Sequence, residues 1–406
     1  MGKKMYEPSP ERVAKTHMYC FMHYVNDRFG QNFQSYPELY AWSVAQIADF
    51  WGAFWDFAEI IHSVPYEQVV DDPGKMPGAT WFSGARLNFA ENLLRYRDNR
   101  TALIFQSEDG PPRTLSYAEL YSQVAAVAQS LKELGIRPGD RVAGFMPNMP
   151  ETIIAMLAAA SLGAVWSSCS PDFGIKGVLD RFGQIRPRVL FTANGYFFKG
   201  REIDSLERIS SVLQHIDSVE QVVVVPLTRV EPDLSGIPQG VMFEDFKSDE
   251  PDLEIEFEQL PFDHPLYIMY SSGTTGLPKC MVQSAGGILL HQVKEHMLHT
   301  DVSRKDTVFY FTTCGWMMWN WLVSGLALGP RLVLYDGNPF HPDPGVLWRA
   351  AQDQGITVFG TSAGYLAALE ASGIKPGRDY DLSPLRTVLS TGSPLSEAGF
   401  EFVYRD

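Results

Sequence analysis

Ten residues hold the densest set of groups that could do chemistry: Tyr270-Ser271-Ser272-Gly273-Thr274-Thr275-Gly276-Leu277-Pro278-Lys279. The hydroxyls of Ser271, Ser272, Thr274 and Thr275 are neutral donors, and Lys279 carries a mobile positive charge. Gly273 and Gly276 let the backbone turn and come close to a ligand. Consecutive N–H groups in such a turn can form a concave anion site. The combination suits a polyphosphate, whose chemistry needs positioning and charge neutralisation at phosphorus. A plain polar turn between strands is the alternative. The common phosphate loop, G-x-x-x-x-G-K-[ST], does not occur in the sequence.

A second informative string is Cys314-Gly315-Trp316-Met317-Met318-Trp319-Asn320-Trp321. It concentrates apolar surface at a strand-to-helix junction, where α/β sheets bind ligands. Core packing accounts for such residues equally well, and Trp316, Met317 and Met318 are candidates for a pocket wall. Gly360-Thr361-Ser362-Ala363-Gly364 fits the G-x-S-x-G elbow of hydrolases. That elbow needs an acid and then a histidine after the serine, and the last histidine is His341, so an ordinary strand-to-helix turn is expected. His291, His296 and His299 are spaced by five and three, not the i, i+4 of helical metal pairs, and read as structural or surface histidines.

The elements that must position these groups alternate. The 406 residues are 45% hydrophobic and 20% charged, an ordinary composition with room for two or three domains. Residues 1–95 read as a helical unit with an aromatic stripe at Trp51, Phe54, Trp55 and Ala58. From Arg100 to Val225, strands and helices alternate, with a capping box at Ser116 and Glu119. Asn148 with Pro150 opens the helix through Leu162, and the run Ile153–Trp166, too short to span a bilayer, reads as a buried helix followed by a strand. Residues 226–262, acidic and proline-bearing, read as a solvated connection. A second alternating set begins at Pro265, with Leu266–Tyr270 as a buried strand and a helix from Gly286 to His299. Right-handed crossovers and mostly parallel sheets follow, an α/β fold.

The net charge of −15 disfavours binding to nucleic acid or an anionic membrane, and requires any site for a phosphorylated ligand to be locally positive or built from backbone N–H groups. Cys20, Cys169, Cys280 and Cys314 lie far apart with no C-x-x-C pair, which fits reduced thiols in the cytoplasm. The N-terminus has no apolar core of a signal peptide.

As a string, S-S-G-T-T-G-x-P-K resembles the nucleotide loop of the AMP-forming acyl-CoA synthetases, the adenylate-forming ligases. Trp81–Leu94, W-F-x-G-x-x-L-N-x-A-E-N-L-L, looks like the family segment that joins an N-terminal cap to the main domain. Within the family, Ser170-Pro171-Asp172-Phe173-Gly174, Val178-Leu179-Asp180-Arg181-Phe182, Pro278-Lys279-Cys280-Met281-Val282, Gly315–Trp321 and Leu334-Tyr335-Asp336-Gly337 resemble the acetoacetate-activating branch. Acetate-activating members usually have Gly where Cys280 stands and lack the Met-Met-Trp-Asn-Trp run.

The resemblance covers Trp42 to Asp406 and implies the large N-terminal domain of an adenylate-forming ligase. The expected organisation is a helical cap (1–95), a first βα subdomain with its acidic connection (96–262) and a second βα subdomain carrying the nucleotide loop (263–406). The helix from Ser396 still runs at Asp406, and the family's later motifs do not occur, so a fragment without the small C-terminal domain is expected. The implied substrates are acetoacetate, ATP with Mg²⁺, and coenzyme A, with acetate or propionate as alternative acids and a non-catalytic nucleotide-binding remnant as the alternative class. By family position, Ser271–Gly276 and Lys279 hold phosphates, with Thr274, Thr275 and Lys279 acting in catalysis. Gly392-Ser393-Pro394 packs on adenine, although Ser393 stands where many relatives have Glu. Trp316, Met317 and Met318 border the acyl group, and Ser170–Gly174, Lys199 and Arg201 meet coenzyme A, with a helix cap and a surface basic pair as the alternative reading of those segments.

Overall fold

The structure is a computed structural model and describes residues 4–229, 231–271 and 276–406. The three longest helices of the cap are α1 (His17–Phe29), α2 (Tyr36–Ala45) and α3 (Ile47–Phe57). The aromatic stripe is core: Phe54, Trp55 and Ala58 are buried, and Trp51 packs edge-on against Phe54. Trp55 stacks on Phe82 at 4.9 Å, and Phe82 stacks on Phe262 at 4.7 Å, which seats the cap on the body. Each such pair adds about 0.5–1.5 kcal/mol beyond area burial.

The Trp81–Leu94 string does more than turn. Asn88 caps α4 (Phe89–Leu93) by accepting from the Glu91 N–H at 3.2 Å. Its amide also donates to the carbonyls of Ala160, Ser161 and Glu258 at 2.9–3.1 Å. Asn92 brackets Ile61 in the same way, accepting from its N–H and donating to its carbonyl. Both asparagines are buried, so each unsatisfied bond would cost about 1–3 kcal/mol.

The body begins with a hairpin, β1 (Thr101–Ser107) and β2 (Arg113–Ser116). Helix α5 (Tyr117–Glu133) starts on the expected capping box of Ser116 and Glu119. Next come β3 (Arg141–Phe145), α6 (Pro150–Ser161), β4 (Val165–Cys169), α7 (Ile175–Ile185) and β5 (Val189–Ala193). Every residue of α6 except Glu151 is buried, as befits a helix apolar on all sides. Asn148 does not open it: Met149 is the N-cap residue, and Asn148 is buried in a different task described below. A hairpin that the alternation did not predict follows, β6 (Gly195–Phe198) with β7 (Arg201–Asp204), and then α8 (Leu206–Leu213) and β8 (Gln221–Val225).

The acidic stretch 226–262 is not only connection. Val222–Val224 pair in parallel with β9 (Gly240–Met242), and Leu260–Pro261 pair with Arg86–Leu87. Its acids also find cations, Glu254 with Arg97 and Glu256 with Lys132. The remaining strands are β10 (Pro265–Ser271), β11 (Lys279–Ser284), β12 (Thr307–Tyr310), β13 (Arg331–Asp336), β14 (Val358–Ser362) and β15 (Thr387–Thr391). The helices among them are α9 (Ala285–Lys294), α10 (Met317–Ser324), α11 (Val346–Gln354), α12 (Ala363–Ser372) and α13 (Glu397–Arg405). The expected helix to His299 changes at Glu295 into a π-helical turn, Glu295–His299.

Two sheets result. One has seven strands in the order β9-β8-β5-β3-β4-β10-β11, parallel except for the terminal β10–β11 hairpin. The other has six, β15-β14-β12-β13-β1-β2, parallel except for the β1–β2 hairpin. Each sheet takes strands from both sides of residue 262. The β1–β2 hairpin joins the later strands, and the β10–β11 hairpin joins the earlier ones. Each sheet is thus completed by a segment from the other half of the chain.

Candidate functional site

All parallel strands of one sheet end at the same edge, and the two edges with carboxyl ends meet. Cys314, four residues past β12, places its thiol 2.6 Å from the Met146 carbonyl at the end of β3. Ser168 in β4 donates to the Cys314 carbonyl at 2.6 Å. Asn148 accepts from the Trp319 indole N–H at 2.9 Å and donates from its own main chain to Asp336, the last residue of β13, at 3.4 Å. Glu108, just past β1, accepts from the N–H groups of Lys199 and Gly200 at 3.0 and 2.8 Å and of Asn338 at 2.5 Å. Gly337 permits this, because a Cβ there would lie 2.4 Å from the Glu108 side chain. Ligands of parallel α/β sheets bind at such an edge.

The hydroxyl-rich loop leaves from this edge. Ser271 ends β10 and pairs directly with Lys279, which starts β11, so the loop closes a hairpin instead of leading into a helix. Leu266 and Tyr267 are buried, while the strand is only half-buried from Ile268 onward. Lys279 is exposed, and Gly276 has φ +97°, a conformation that favours glycine. Ser272, Gly273, Thr274 and Thr275 lie outside the described residues. Helix α7 anchors the loop's base: Gln184 donates to the Pro278 carbonyl at 2.9 Å, and the Arg181 guanidinium lies 5.5 Å from the Tyr270 ring. Sequence reasoning did not nominate either residue.

The Trp-rich string divides sharply. Trp316 is 66% exposed and stands as the N-cap residue of α10, and Met317 and Met318 are half-buried. Trp319 and Trp321 are core. The packing reading fits the last two tryptophans, Met317 and Met318 also pack in part against the core, and Trp316 alone is largely exposed. Gly392-Ser393-Pro394 follows β15 on the same edge as Ser362, exposed, with Gly392 at φ +89°. Ser362 itself caps α12 by accepting from the Tyr365 N–H at 3.1 Å, so G-x-S-x-G is a capped turn, as expected. Lys199 and Arg201 flank the tip of the β6–β7 hairpin, both exposed. In the Ser170–Gly174 segment, Arg208 donates to the carbonyls of Pro171 and Phe173.

Among the described residues, no group of three or more His, Cys, Asp or Glu could hold a metal ion. His296 is structural: it is fully buried, stacks on Trp321 at 3.9 Å, and donates from Nε2 to the Trp321 carbonyl at 2.6 Å. Burial lowers its pKa to about 4. Asp336 moves the other way. Burial of its carboxyl, with Glu108 and Asp172 adding negative charge, raises its pKa to about 7 against one N–H from Asn148.

These two groups predict opposite slopes of stability with pH. Between pH 4 and 6.5 the unfolded chain protonates His296 and the folded chain does not, so the His296 contribution falls as pH falls. The folded chain keeps the Asp336 proton up to about pH 7 and the unfolded chain loses it near 4, so that contribution rises as pH falls. Urea unfolding at pH 7 and pH 5 separates them. Asp336→Asn should steepen the loss of stability on acidification by about 1.4 kcal/mol per pH unit, and His296→Gln should reverse it by a similar amount. Identical pH profiles for both variants would show that neither group is buried as described.

A family model described as "AMP-binding enzyme" matches residues 89–406, and one described as "Acetyl-coenzyme A synthetase N-terminus" matches residues 36–93. The chain is 47% identical to the acetoacetyl-CoA synthetase of Gallus gallus over 99% of its own length and 61% of that protein. It is 40% identical to the malonamoyl-CoA synthetase of Penicillium aethiopicum over 96% of its own length and 58% of that one. The solved structure of acetoacetyl-CoA synthetase from Streptomyces lividans superposes with a TM-score of 0.94 at 42% identity, covering 99% of this chain and 62% of that one. The chain thus spans about three fifths of the length of these relatives. With a mixed α/β body of two largely parallel sheets and a family match over 89–406, the chain belongs to the AMP-binding enzyme family.

Proposed function

We propose that this chain carries the nucleotide- and acyl-binding part of an AMP-forming acetoacetate–CoA ligase. The observation that carries the reading is the meeting of two strand edges where Ser271 and Lys279 pair at the base of a hairpin, in a chain 47% identical to an acetoacetyl-CoA synthetase. In the proposed reaction an acetoacetate carboxylate oxygen attacks the α-phosphorus of ATP and pyrophosphate leaves. The thiol of coenzyme A then attacks the acyl carbonyl of the adenylate, and AMP leaves.

The residues have proposed roles that follow from their positions. Ser271 and Gly276, with Ser272, Gly273, Thr274 and Thr275 between them, donate to the β- and γ-phosphates, and Lys279 neutralises charge there. The open, glycine-bearing backbone at Gly276 and the exposed ammonium of Lys279 fit a polyphosphate. Mg²⁺ would arrive on the nucleotide and share that charge. Gly392, Ser393 and Pro394 flank the base, Trp316, Met317 and Met318 border the acyl group, and Lys199 and Arg201 offer cations to the phosphates of coenzyme A. The acyl groups named for the two relatives, acetoacetyl and malonamoyl, share a second carbonyl on the third carbon.

Calorimetric titration of the chain with acyl-sulfamoyl adenosines, stable mimics of the acyl adenylate, tests the reading. The acetoacetyl mimic should bind more tightly than the acetyl and propionyl mimics. A folded chain that binds none of them would overturn adenylate formation, and a preference for acetyl or propionyl would overturn the acid. ATP–pyrophosphate exchange with the same three acids then reports whether these 406 residues perform the first step unaided.

A further inference from the structure

Glu108 ties together three main-chain groups that lie far apart in the sequence. Its half-buried carboxylate accepts from the N–H groups of Lys199 and Gly200, at the tip of the β6–β7 hairpin, and of Asn338, just past β13. The hairpin follows β5 of the seven-stranded sheet, whereas β1 and β13 are neighbours in the six-stranded one, so the carboxylate spans the two edges. Both tip residues have left-handed backbones, with φ +54° at Lys199 and +70° at Gly200. That conformation is uncommon for a lysine, and here it brings two successive N–H groups onto one acceptor. His341 closes the other side of the tip, where a Cβ on Gly200 would lie 3.0 Å from its ring.

The clamp fixes the points from which two cations start. Lys199 and Arg201 are exposed, and among the described residues neither forms an ion pair, so both charges are open to a ligand. The neighbouring Asp109 is engaged by Arg229 and does not compete for them. Behind the hairpin, Arg208 on α8 donates to the carbonyls of Pro171 and Phe173, which holds the Ser170–Gly174 segment beside it. Cations on a fixed backbone lose less freedom on meeting a phosphate than cations on a loose one, and so bind it more tightly.

We propose that Glu108 is a positioning residue for coenzyme A: by clamping the hairpin tip it presents Lys199 and Arg201 to the coenzyme's phosphates, without itself touching the ligand. This rests on the reading of Lys199 and Arg201 given above. The sign of the effect separates positioning from charge. A carboxylate near a phosphate site repels the ligand, so on charge alone its removal tightens binding. Positioning predicts the reverse.

The test titrates coenzyme A, and separately acetoacetyl sulfamoyl adenosine, into four forms of the chain. These are the unmodified chain, Glu108→Gln, Lys199→Gln with Arg201→Gln, and all three substitutions together. Glu108→Gln, which preserves side-chain size, should weaken coenzyme A binding about tenfold and leave the affinity for the adenylate mimic unchanged. In the chain that already lacks both cations it should add nothing, because it acts through them. Three results would overturn the role of Glu108 and leave the coenzyme reading standing: unchanged or tighter coenzyme A binding in Glu108→Gln, an equal loss for both ligands, or an equal loss with the cations already removed. If the unmodified chain does not bind coenzyme A, or binds it no more tightly than the form without the two cations, the coenzyme reading of the hairpin fails and the role of Glu108 fails with it.

Discussion

Lys279→Ala is expected to weaken ATP binding by about 10- to 100-fold and leave the fold intact. The expectation combines two observations. Lys279 is exposed at the first position of β11, so its side chain contributes nothing to the core. Surface truncations of that kind change stability by less than about 0.5 kcal/mol. Its backbone is fixed, because it pairs with Ser271 across the base of the loop and the preceding carbonyl, that of Pro278, is held by Gln184. The ammonium therefore starts from a defined point beside the proposed phosphate site. A charge-assisted hydrogen bond to phosphate contributes about 1.5–3 kcal/mol, which sets the expected loss. Calorimetry with Mg-ATP measures it. An unchanged dissociation constant, with an unchanged unfolding midpoint, would remove Lys279 from the phosphate site.

The same loop shows what a sequence can reveal. Its residue types suggest phosphate chemistry and the apolar run before it names the strand Leu266–Tyr270, because hydroxyls, glycines and apolar runs are local signals, whereas β11 on its other side was not read from the sequence. Helix α6 was legible for a similar reason, since a run apolar on all sides has few places to go. Strand partners were not legible. Nothing in Thr101–Ser107 states that it lies beside Arg331–Asp336 and not beside Arg141–Phe145, since all three are apolar runs of a parallel sheet. The short strand Gly240–Met242 was hidden because three residues carry no periodicity.

The polar residues of the junction were the hardest to see. Asn88 binds a carbonyl 170 residues away, and Glu108 binds an N–H 230 residues away. Asn148, beside a proline at a helix start, has the sequence appearance of a cap and instead joins the indole of Trp319 to the end of β13. Such residues satisfy main-chain groups brought together only by the completed fold, so their role has no local pattern to detect. The exposure split within Trp316–Trp321 has the same origin: composition shows five large apolar residues at and within the start of a short helix, and only the packing decides which face inward.

That split predicts the second large effect. Trp319→Ala should cost about 3–5 kcal/mol, whereas Trp316→Ala, three residues earlier, should cost less than about 0.5 kcal/mol. Trp319 is fully buried, so truncation removes a whole indole from the core and leaves a cavity. It also strips Asn148 Oδ1 of the donor at 2.9 Å. Asn148 has other bonds to keep, its amide nitrogen reaching the carbonyls of Thr312 and Tyr335 at 3.5 Å, so it cannot readily turn to find a replacement. Those carbonyls lie at the carboxyl ends of β12 and β13, on one side of the junction, while Asn148 follows β3 on the other. Loss of the indole should therefore loosen the contact between the two sheets as well as the core. Trp319→Phe separates the effects: it keeps most of the packing, loses the N–H, and should fall between the two alanine variants. Urea unfolding of the three variants gives the order directly. If Trp319→Ala were no less stable than Trp316→Ala, the indole would not be a core element, and the alignment of the two strand edges would need another support.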